Sequence, residues 1–567
     1  MKKIIVIIGI LVTTLNSCSD YIDEDNRSYG SAEQYFITAP GFESLVNTNY
    51  AALKDVYGGD PWLFEAGTDM YSEGRNQEPE GLAKYLTLSS SSQGVDQLYR
   101  TCYSSIQQAN KGLYYSGITE KSSTLDTRIG ELKFLRANAY FLLVQTYGGV
   151  PVVLENINTA VTSFDRNTAE QVYTQIIKDL DEALPLVADG AYTGRVNKRA
   201  VQNLLAKVYL TRGYETFGNA TDFATAAALA DKVINGQALA VSFDNVVKPG
   251  NEMNAETIFS VQFSIASNAT GTTSLGSSQN YWFSSYLGAA ASGNPYPNRS
   301  YTLCPTVYAL SLFEKGDKRW EGTFMTEIYS RYYDYYDVAD KTALKIAHFY
   351  EPKWFTQADR DAYIAAHKDL GKVVAPATTP TGYHIWGSYS SAAAAGGDYN
   401  LIPVRKFDDP KAPYSGATSV NFNTTPYTVA TNRSSTRDFI IARLGETYLI
   451  AAEAYFKAGD SPTALTRLNE VRKRAGGGVA GVIPVLTTID INTILDERGR
   501  ELLGEYHRWF DLKRTGTLVQ RTVLFNPKVT SANAFNGQNG NLKVLRPIPQ
   551  AALDLNRNND FPQNPAY

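Results

Sequence analysis

Residues 130–151 read GELKFLRANAYFLLVQTYGGVP. At helical spacing, Leu132, Leu135, Ala139 and Leu142 share one face, and Phe134, Ala137, Phe141 and Val144 share another. A helix that is apolar on two sides is buried on two sides. Glu131, Lys133 and Arg136 in its first turns argue against a membrane span. Gly148-Gly149 ends the helix, and Val150-Pro151 cannot continue it. Such a helix requires other helices stacked on both flanks, as in an α-solenoid.

The same local text occurs twice more. Leu142-Leu143-Val144-Gln145-Thr146-Tyr147 is matched by Leu204-Leu205-Ala206-Lys207-Val208-Tyr209 and by Ile450-Ala451-Ala452-Glu453-Ala454-Tyr455. Each copy places a small or β-branched residue three before the Tyr, and a Gly follows soon after. This pattern resembles the first helix of a tetratricopeptide repeat. After the third copy, Ala464, Leu468 and Val471 carry the spacing of that repeat's second helix. Three ordinary buried helices of similar composition are the competing reading.

Outward from these helices, the spacing predicts further helices over residues 42–57, 96–115, 126–147, 168–184, 197–213, 222–235, 305–315, 437–457, 462–474 and 493–514. Thr168 and Gln171 form a capping-box pattern at the start of one of them. Residues 256–264 alternate like a strand. Glu497, Arg498, Arg500, Glu501, Arg508 and Asp511 are spaced to pair along the 493–514 helix. Residues 58–94 read as loop, and the chain closes in an extended tail. From residue 265 to about 436 the text is low in charge and rich in Ser, Gly, Asn and aromatics. So much irregular chain inside a folded protein usually carries function.

With 567 residues the chain can build several cores, and its formal net charge of −4 offers no electrostatic footprint for nucleic acid. Tyrosine, at 38 residues, outnumbers phenylalanine at 24. A tyrosine pairs an apolar ring with a hydrogen-bonding tip, which suits a wet binding surface as well as a core. Lys2-Lys3, the apolar run over residues 4–12 and Leu15-Asn16-Ser17-Cys18 read as a signal peptide ending in a bacterial lipobox. That run falls short of the roughly 20 residues a bilayer-spanning helix needs. Cys18 is then the site of lipid attachment. The remaining cysteines, Cys102 and Cys304, have no metal-ligand spacing and are expected as free thiols.

An enzyme is the rival class. The four histidines, His348, His367, His384 and His507, form no HExxH and no pair close in sequence. Gly476-Gly477-Gly478 lacks the Lys-Ser/Thr ending of a phosphate-cradling loop. No catalytic residue, metal ligand or cofactor motif stands out. A glycosidase needs only two carboxylates roughly 5–10 Å apart, so surface glycan hydrolysis stays open, as does a scaffold lipoprotein with no ligand of its own.

At this point a family resemblance can be stated. The chain resembles the SusD/RagB-type outer-membrane lipoproteins of Bacteroidetes. The resemblance is carried by Cys18, residues 131–151, Gly194-Arg195 with residues 203–209, residues 443–459, LNEVRKRAG at 468–476, residues 497–514, and residues 546–549 with 562–567. It implies a mostly α, tetratricopeptide-like scaffold with long loop insertions and a few short strands. It further implies a cell-surface, lipid-anchored protein that binds oligosaccharide or polysaccharide and partners a TonB-dependent, SusC-like transporter. The expected organisation is a signal peptide (1–17), a lipidated tether (18–40), an N-terminal helical part (41–264), an aromatic ligand-binding insertion (265–436) and a C-terminal helical part (437–567), all within one SusD-like domain. Flat rings bind the C–H faces of a sugar while carboxylates or Tyr hydroxyls order its rim. The expected glycan site therefore joins Trp62 and Asp69 to Tyr281, Trp282 and Tyr296. A peptide or glycoprotein cargo is the alternative ligand.

Overall fold

The structure, a computed structural model, describes residues 32–74, 78–264, 276–283, 300, 302–330, 332, 334–367, 370, 382–389, 401–410 and 435–567. Cys18, the signal peptide and Tyr296 lie outside the described residues. Eight helices form the scaffold: α1 (Ala39–Tyr57), α2 (Gln97–Ser116), α3 (Leu125–Tyr147), α4 (Ala169–Ala183), α5 (Lys198–Arg212), α6 (Asp222–Ile234), α7 (Leu444–Lys457) and α8 (Ser461–Ala475). Each packs on its neighbour in this order, and α6 packs on α7 although the whole insertion separates them in sequence.

The three tyrosine-ended stretches lie on α3, α5 and α7, the first helices of successive pairs, so the repeat reading matches the fold. Every residue of α3 from Phe134 to Tyr147 is buried. Close packing extends to the backbone: a Cβ on Gly130 would stand 2.9 Å from both Leu186 Cβ and Val187 Cγ1. Side chains satisfy the orphan N–H groups at helix starts. Thr168 and Gln171 close the expected capping box, and Asn197 accepts from the Ala200 N–H at 3.0 Å. At the other end of α3, Gly148 takes φ 76°, and the tail supplies donors for carbonyls that the helix leaves unpaired. The Arg546 N–H donates to Thr146 O at 2.9 Å and Asn564 Nδ2 to Tyr147 O at 3.0 Å.

Besides a two-residue pairing of Tyr71–Ser72 with Cys304–Pro305, the strands of the insertion and its ends among the described residues are β1 (Thr257–Val261), β2 (Glu327–Tyr329), β3 (Ile346–Tyr350), β4 (Tyr383–His384) and β5 (Phe439–Arg443). β1 and β5 pair antiparallel, Val261 opposite Phe439, and so bring the two ends of the insertion together. β3 lies between β2 (antiparallel) and β4 (parallel).

The predicted helix from 437 begins only at Leu444, because FIIAR at 439–443 is claimed by β1 before the helix can start. The predicted helix over 493–514 is two helices, α9 (Ile491–Leu502) and α10 (Arg508–Arg514). Gly504 at φ 73° and Tyr506 at φ 65° turn the chain between them. The 58–94 segment is no surface loop. It holds short helices at Trp62–Glu65 and Glu80–Lys84, and residues 61–72 are all buried.

Charged residues of α9 pair mainly across elements rather than along the helix. Glu497 binds Arg319 at 2.7 Å, Arg472 at 3.0 Å and Arg500 at 2.6 Å. Glu501 binds Arg443 at 2.5 Å and Arg319 at 3.2 Å and also meets Arg474, while Glu505 binds Arg443 at 2.7 Å and Lys406 at 2.5 Å. These groups are buried, and unpaired charges there would be untenable. The network ties Arg319 and Lys406 of the insertion to the scaffold. Burial works to raise the Glu497 carboxyl, but Arg319, Arg500 and Arg472 overcome it and hold the group at about 2. Arg443 and Lys406 do the same for Glu505, also at about 2.

Candidate functional site

Two segments far apart in sequence meet beside the scaffold. The loop after α1 enters the short helix Trp62–Glu65, and the segment at 276–283 carries a helical turn at Gln279–Trp282. Ser278 ties them: its N–H donates to Gly58 O at 3.1 Å and its Oγ to Gly59 O at 2.7 Å. Tyr281 O accepts from Ser300 N at 2.7 Å, which fixes the far side.

This arrangement gathers three of the predicted aromatics. The Trp62 and Trp282 rings lie 4.7 Å apart, edge to face at 62°, and Tyr281 meets Trp282 at 4.8 Å and 72°. Trp62 is 4% exposed and Tyr281 8%, whereas Trp282 is half-buried. Gly94 leaves room for Trp62, since a Cβ there would stand 3.2 Å from the Trp62 Cδ1. The Asp60 carboxyl lies beside the pair, and partial desolvation there raises it above the usual carboxylate range, with both indoles opposing part of that shift. Trp282 is therefore the ring of the three with the most surface left for a ligand.

Asp69 sits elsewhere and does different work. It is fully buried, with Arg508 across both of its oxygens at 2.7 Å each and Arg521 Nε at 2.9 Å. Burial would raise its carboxyl, but the two guanidinium groups hold it below the usual range. Those bonds join the loop at 67–70 to α10 and the helix after it, so Asp69 braces the scaffold. The sequence carries no local sign of this, because both partners lie more than four hundred residues away.

The sequence analysis placed no site residue at a second aromatic gathering in the insertion. A cavity of about 330 Å³ opens between the short helix at Arg319–Thr323, β2, β3 and the helix at Gln357–Ala366, lined among others by Trp320, Tyr335, Trp354 and Tyr363. Tyrosine tips around it are tied down on carboxylates. Tyr329 and Tyr363 donate to Glu327 at 3.1 and 2.8 Å, and Tyr383 donates to Glu351 at 2.9 Å. Nearby, Tyr332 and Tyr336 donate to Asp408 at 2.9 and 2.7 Å. Much of the tyrosine excess thus tethers the insertion internally.

The histidines, distant in sequence, are partly reunited. β3–β4 pairing brings His348 Nδ1 and His384 Nε2 to 3.1 Å, and burial lowers both imidazoles, His384 to about 3. Among the described residues no group of three or more His, Cys, Asp or Glu could hold a metal ion. Cys102 and Cys304 are buried and in no disulfide among the described residues. Among the described residues no helix is long and apolar enough to cross a membrane.

The chain matches the SusD family model over residues 255–567, and a second model, described as starch-binding associating with outer membrane, over residues 20–210. The protein belongs to the SusD family. It is 26% identical to a SusD-like protein of Formosa agariphila, with the whole of both chains covered. It is 25% identical to the starch-binding protein SusD of Bacteroides thetaiotaomicron, covering 99% of this chain and 98% of that one. A solved laminarin-binding SusD-like protein shares its fold with a TM-score of 0.65 at 21% identity, over 94% of this chain and 100% of the other.

Proposed function

We propose that this protein is a cell-surface lipoprotein that captures an oligosaccharide or polysaccharide and delivers it to a TonB-dependent, SusC-like transporter in the outer membrane. Cys18 carries the lipid anchor, and the protein binds its glycan without cleaving it. The observation that carries this reading is the meeting of Trp62, Tyr281 and Trp282 from two separated segments, within a chain that belongs to the SusD family along most of its length. A ring covering about 100 Å² of apolar sugar surface gains about 2.5 kcal/mol. Association alone costs about 4–15 kcal/mol, so a glycan site requires several converging groups rather than one. Tyr296 belongs to the proposed site as a further ring from the same insertion.

The test is retention on immobilised or gel-embedded glycans. Trp282→Ala abolishes retention while leaving the melting temperature nearly unchanged, because Trp282 is only half-buried. Retention that survives the substitution removes Trp282 from the site, and shortened glycan products on incubation overturn binding without cleavage. Replacing Cys18 with Ser releases the protein into the soluble fraction, since more than one acyl chain is needed for stable anchoring. Gentle detergent extraction of the native protein co-purifies a much larger barrel protein, whereas recovery of a lone monomer beside an expressed transporter counts against a stable complex.

A further inference from the structure

A groove of about 480 Å³ opens between α2, the chain over 151–164 and the helix at Gln550–Leu555, and it shares no lining residue with either aromatic gathering. Tyr99, Tyr103, Ile157, Val161, Phe164 and Leu555 supply most of its walls. Polar side chains that reach it are spent on backbone. Gln107 Nε2 donates to Ile157 O at 2.8 Å, the Tyr103 hydroxyl to Pro151 O at 2.8 Å, and Asn556 Nδ2 to Phe164 O at 2.9 Å. A hydroxyl-rich ligand would lose its water hydrogen bonds there with little in return, whereas an apolar side chain would gain by leaving water. Leu555 is 77% exposed and Val161 45%, so the rim holds large apolar surface in solvent.

The N-terminal chain enters the scaffold beside this groove. A short helix at Ala32–Phe36 packs on α2, where Phe36 meets Tyr115 at 5.3 Å and 64°, and Lys111 lies 4.7 Å over the Phe36 ring. Tyr103, Gln107 and Lys111 follow one another at four-residue spacing on one ridge of α2. Entry point and groove are therefore about 12 Å apart along the helix. Between residues 19 and 31 the adjacent apolar pair is Tyr21-Ile22, and residues 23–31 join it to Ala32. A flexible chain of that length spans about 15–18 Å. Capture of a linked segment is strongest when the linker's span matches the separation.

We propose that Tyr21-Ile22 of this chain's own tether docks in the groove, with the two side chains against Tyr103, Phe164 and Leu555. Only Ser19 and Asp20 then separate Cys18 from the scaffold. The body is held at one attitude to the membrane, with the face formed by α2 and the tail helix turned towards the anchor, instead of swinging on the whole of residues 18–31. The inference rests on the reading of Cys18 as the lipid-bearing residue and adds the contact that orients the body on that lipid. A segment of another protein seated in the groove is the competing account.

The experiment is disulfide trapping in the mature chain carrying Cys18→Ser, where the buried Cys102 and Cys304 do not compete. Ile22→Cys is combined with Leu555→Cys at the groove, or with Tyr114→Cys, which is exposed and adjoins the entry point. A freely moving tether meets Tyr114 at least as often as Leu555. A docked one cross-links to residue 555 faster by about fivefold or more, and adding Tyr21→Ser removes that preference. Hydrogen exchange of the same chain without the cysteine pair gives a second readout. Tyr21→Ser with Ile22→Ser speeds exchange at residues 552–556 by about fivefold or more, as release of a bound segment requires. Equal trapping at the two positions, a preference for residue 114, or exchange indifferent to the double variant overturns the proposal and leaves the groove to another protein. Membrane fractionation of the Cys18→Ser chain is read separately. Release into the soluble fraction with no preference for residue 555 overturns the docking alone, and preferential trapping with continued membrane retention overturns the lipid reading alone.

Discussion

The helical scaffold and the insertion are stabilised in different ways. In the scaffold each helix buries an apolar face on the helix before it and the helix after it, so α3 needs almost nothing but close packing to be placed. In the insertion, strands are at most five residues long, and order comes from tyrosine hydroxyls on buried carboxylates and from arginines reaching across to α9. The contrast teaches that a repeat scaffold tolerates a large excursion between α6 and α7 provided that both ends close in one sheet, as β1 and β5 do, and that polar ties anchor the excursion. The tethered rings Tyr329, Tyr332 and Tyr383 are themselves buried, so these tyrosines hold the insertion together rather than offer their faces to a ligand.

The strongest way to break the contrast is to cut the ionic tie. Arg319→Met takes the ion-pair partner from buried Asp317 and one of three guanidinium partners each from Glu497 and Glu501. Removing one member of a buried charge pair costs about 3–5 kcal/mol, and chemical denaturation should show a loss of that size. Lys198→Ala removes only the exposed partner of Asp189, and a solvent-screened pair of this kind is expected to leave the denaturation midpoint unchanged.

Acid should act on the same tie. The Glu497 and Glu505 carboxyls are each lowered from 4.5 to about 2 in the folded protein. Their contribution is therefore complete above about 4.5 and is lost as pH falls towards 2. Near-UV circular dichroism, which reports the tightly packed aromatics, should decline in that window before the far-UV helical signal does. A simultaneous decline would show that the two regions stand and fall together.

Packing is the complementary test. Gly130→Ala drives a methyl against Leu186, Val187 and the Ala183 carbonyl, and overpacking of this kind costs about 1–3 kcal/mol. The smallest perturbation is a thiol label. Cys102 in α2 and Cys304 within the insertion are both buried, with thiols that burial raises above the usual range. Neither should react in the native state, and in rising urea at neutral pH Cys304 should label first. Equal labelling would argue against separate opening of the insertion.

The scaffold was legible because its signals are local. The two-sided apolar pattern of residues 132–144, the Tyr-then-Gly endings and the Thr168 cap all act within one or two helical turns. The extended tail was legible as a chain end, but its role in closing α3 through Arg546 and Asn564 was not. The candidate aromatics Trp62, Tyr281 and Trp282 could be named from composition, and their meeting depends on hydrogen bonds from Ser278 to the backbone at Gly58 and Gly59. The cavity at Trp320 and Trp354 was not named, since its walls come from four elements that no spacing connects.

By itself the sequence determined the eight scaffold helices, their order and the family resemblance, because periodicity and helix-end chemistry depend on neighbours within a few residues. Only the tertiary structure decided where polar groups went. FIIAR at 439–443 became a strand because β1 lay within reach to pair with it. Asp69 became a brace because Arg508 and Arg521 converged on it, where sequence alone could read it as a sugar ligand. The tyrosine tips turned inward for the same reason. A buried polar group must find its partner wherever the fold places one, and that distance in space is not written in distance along the chain.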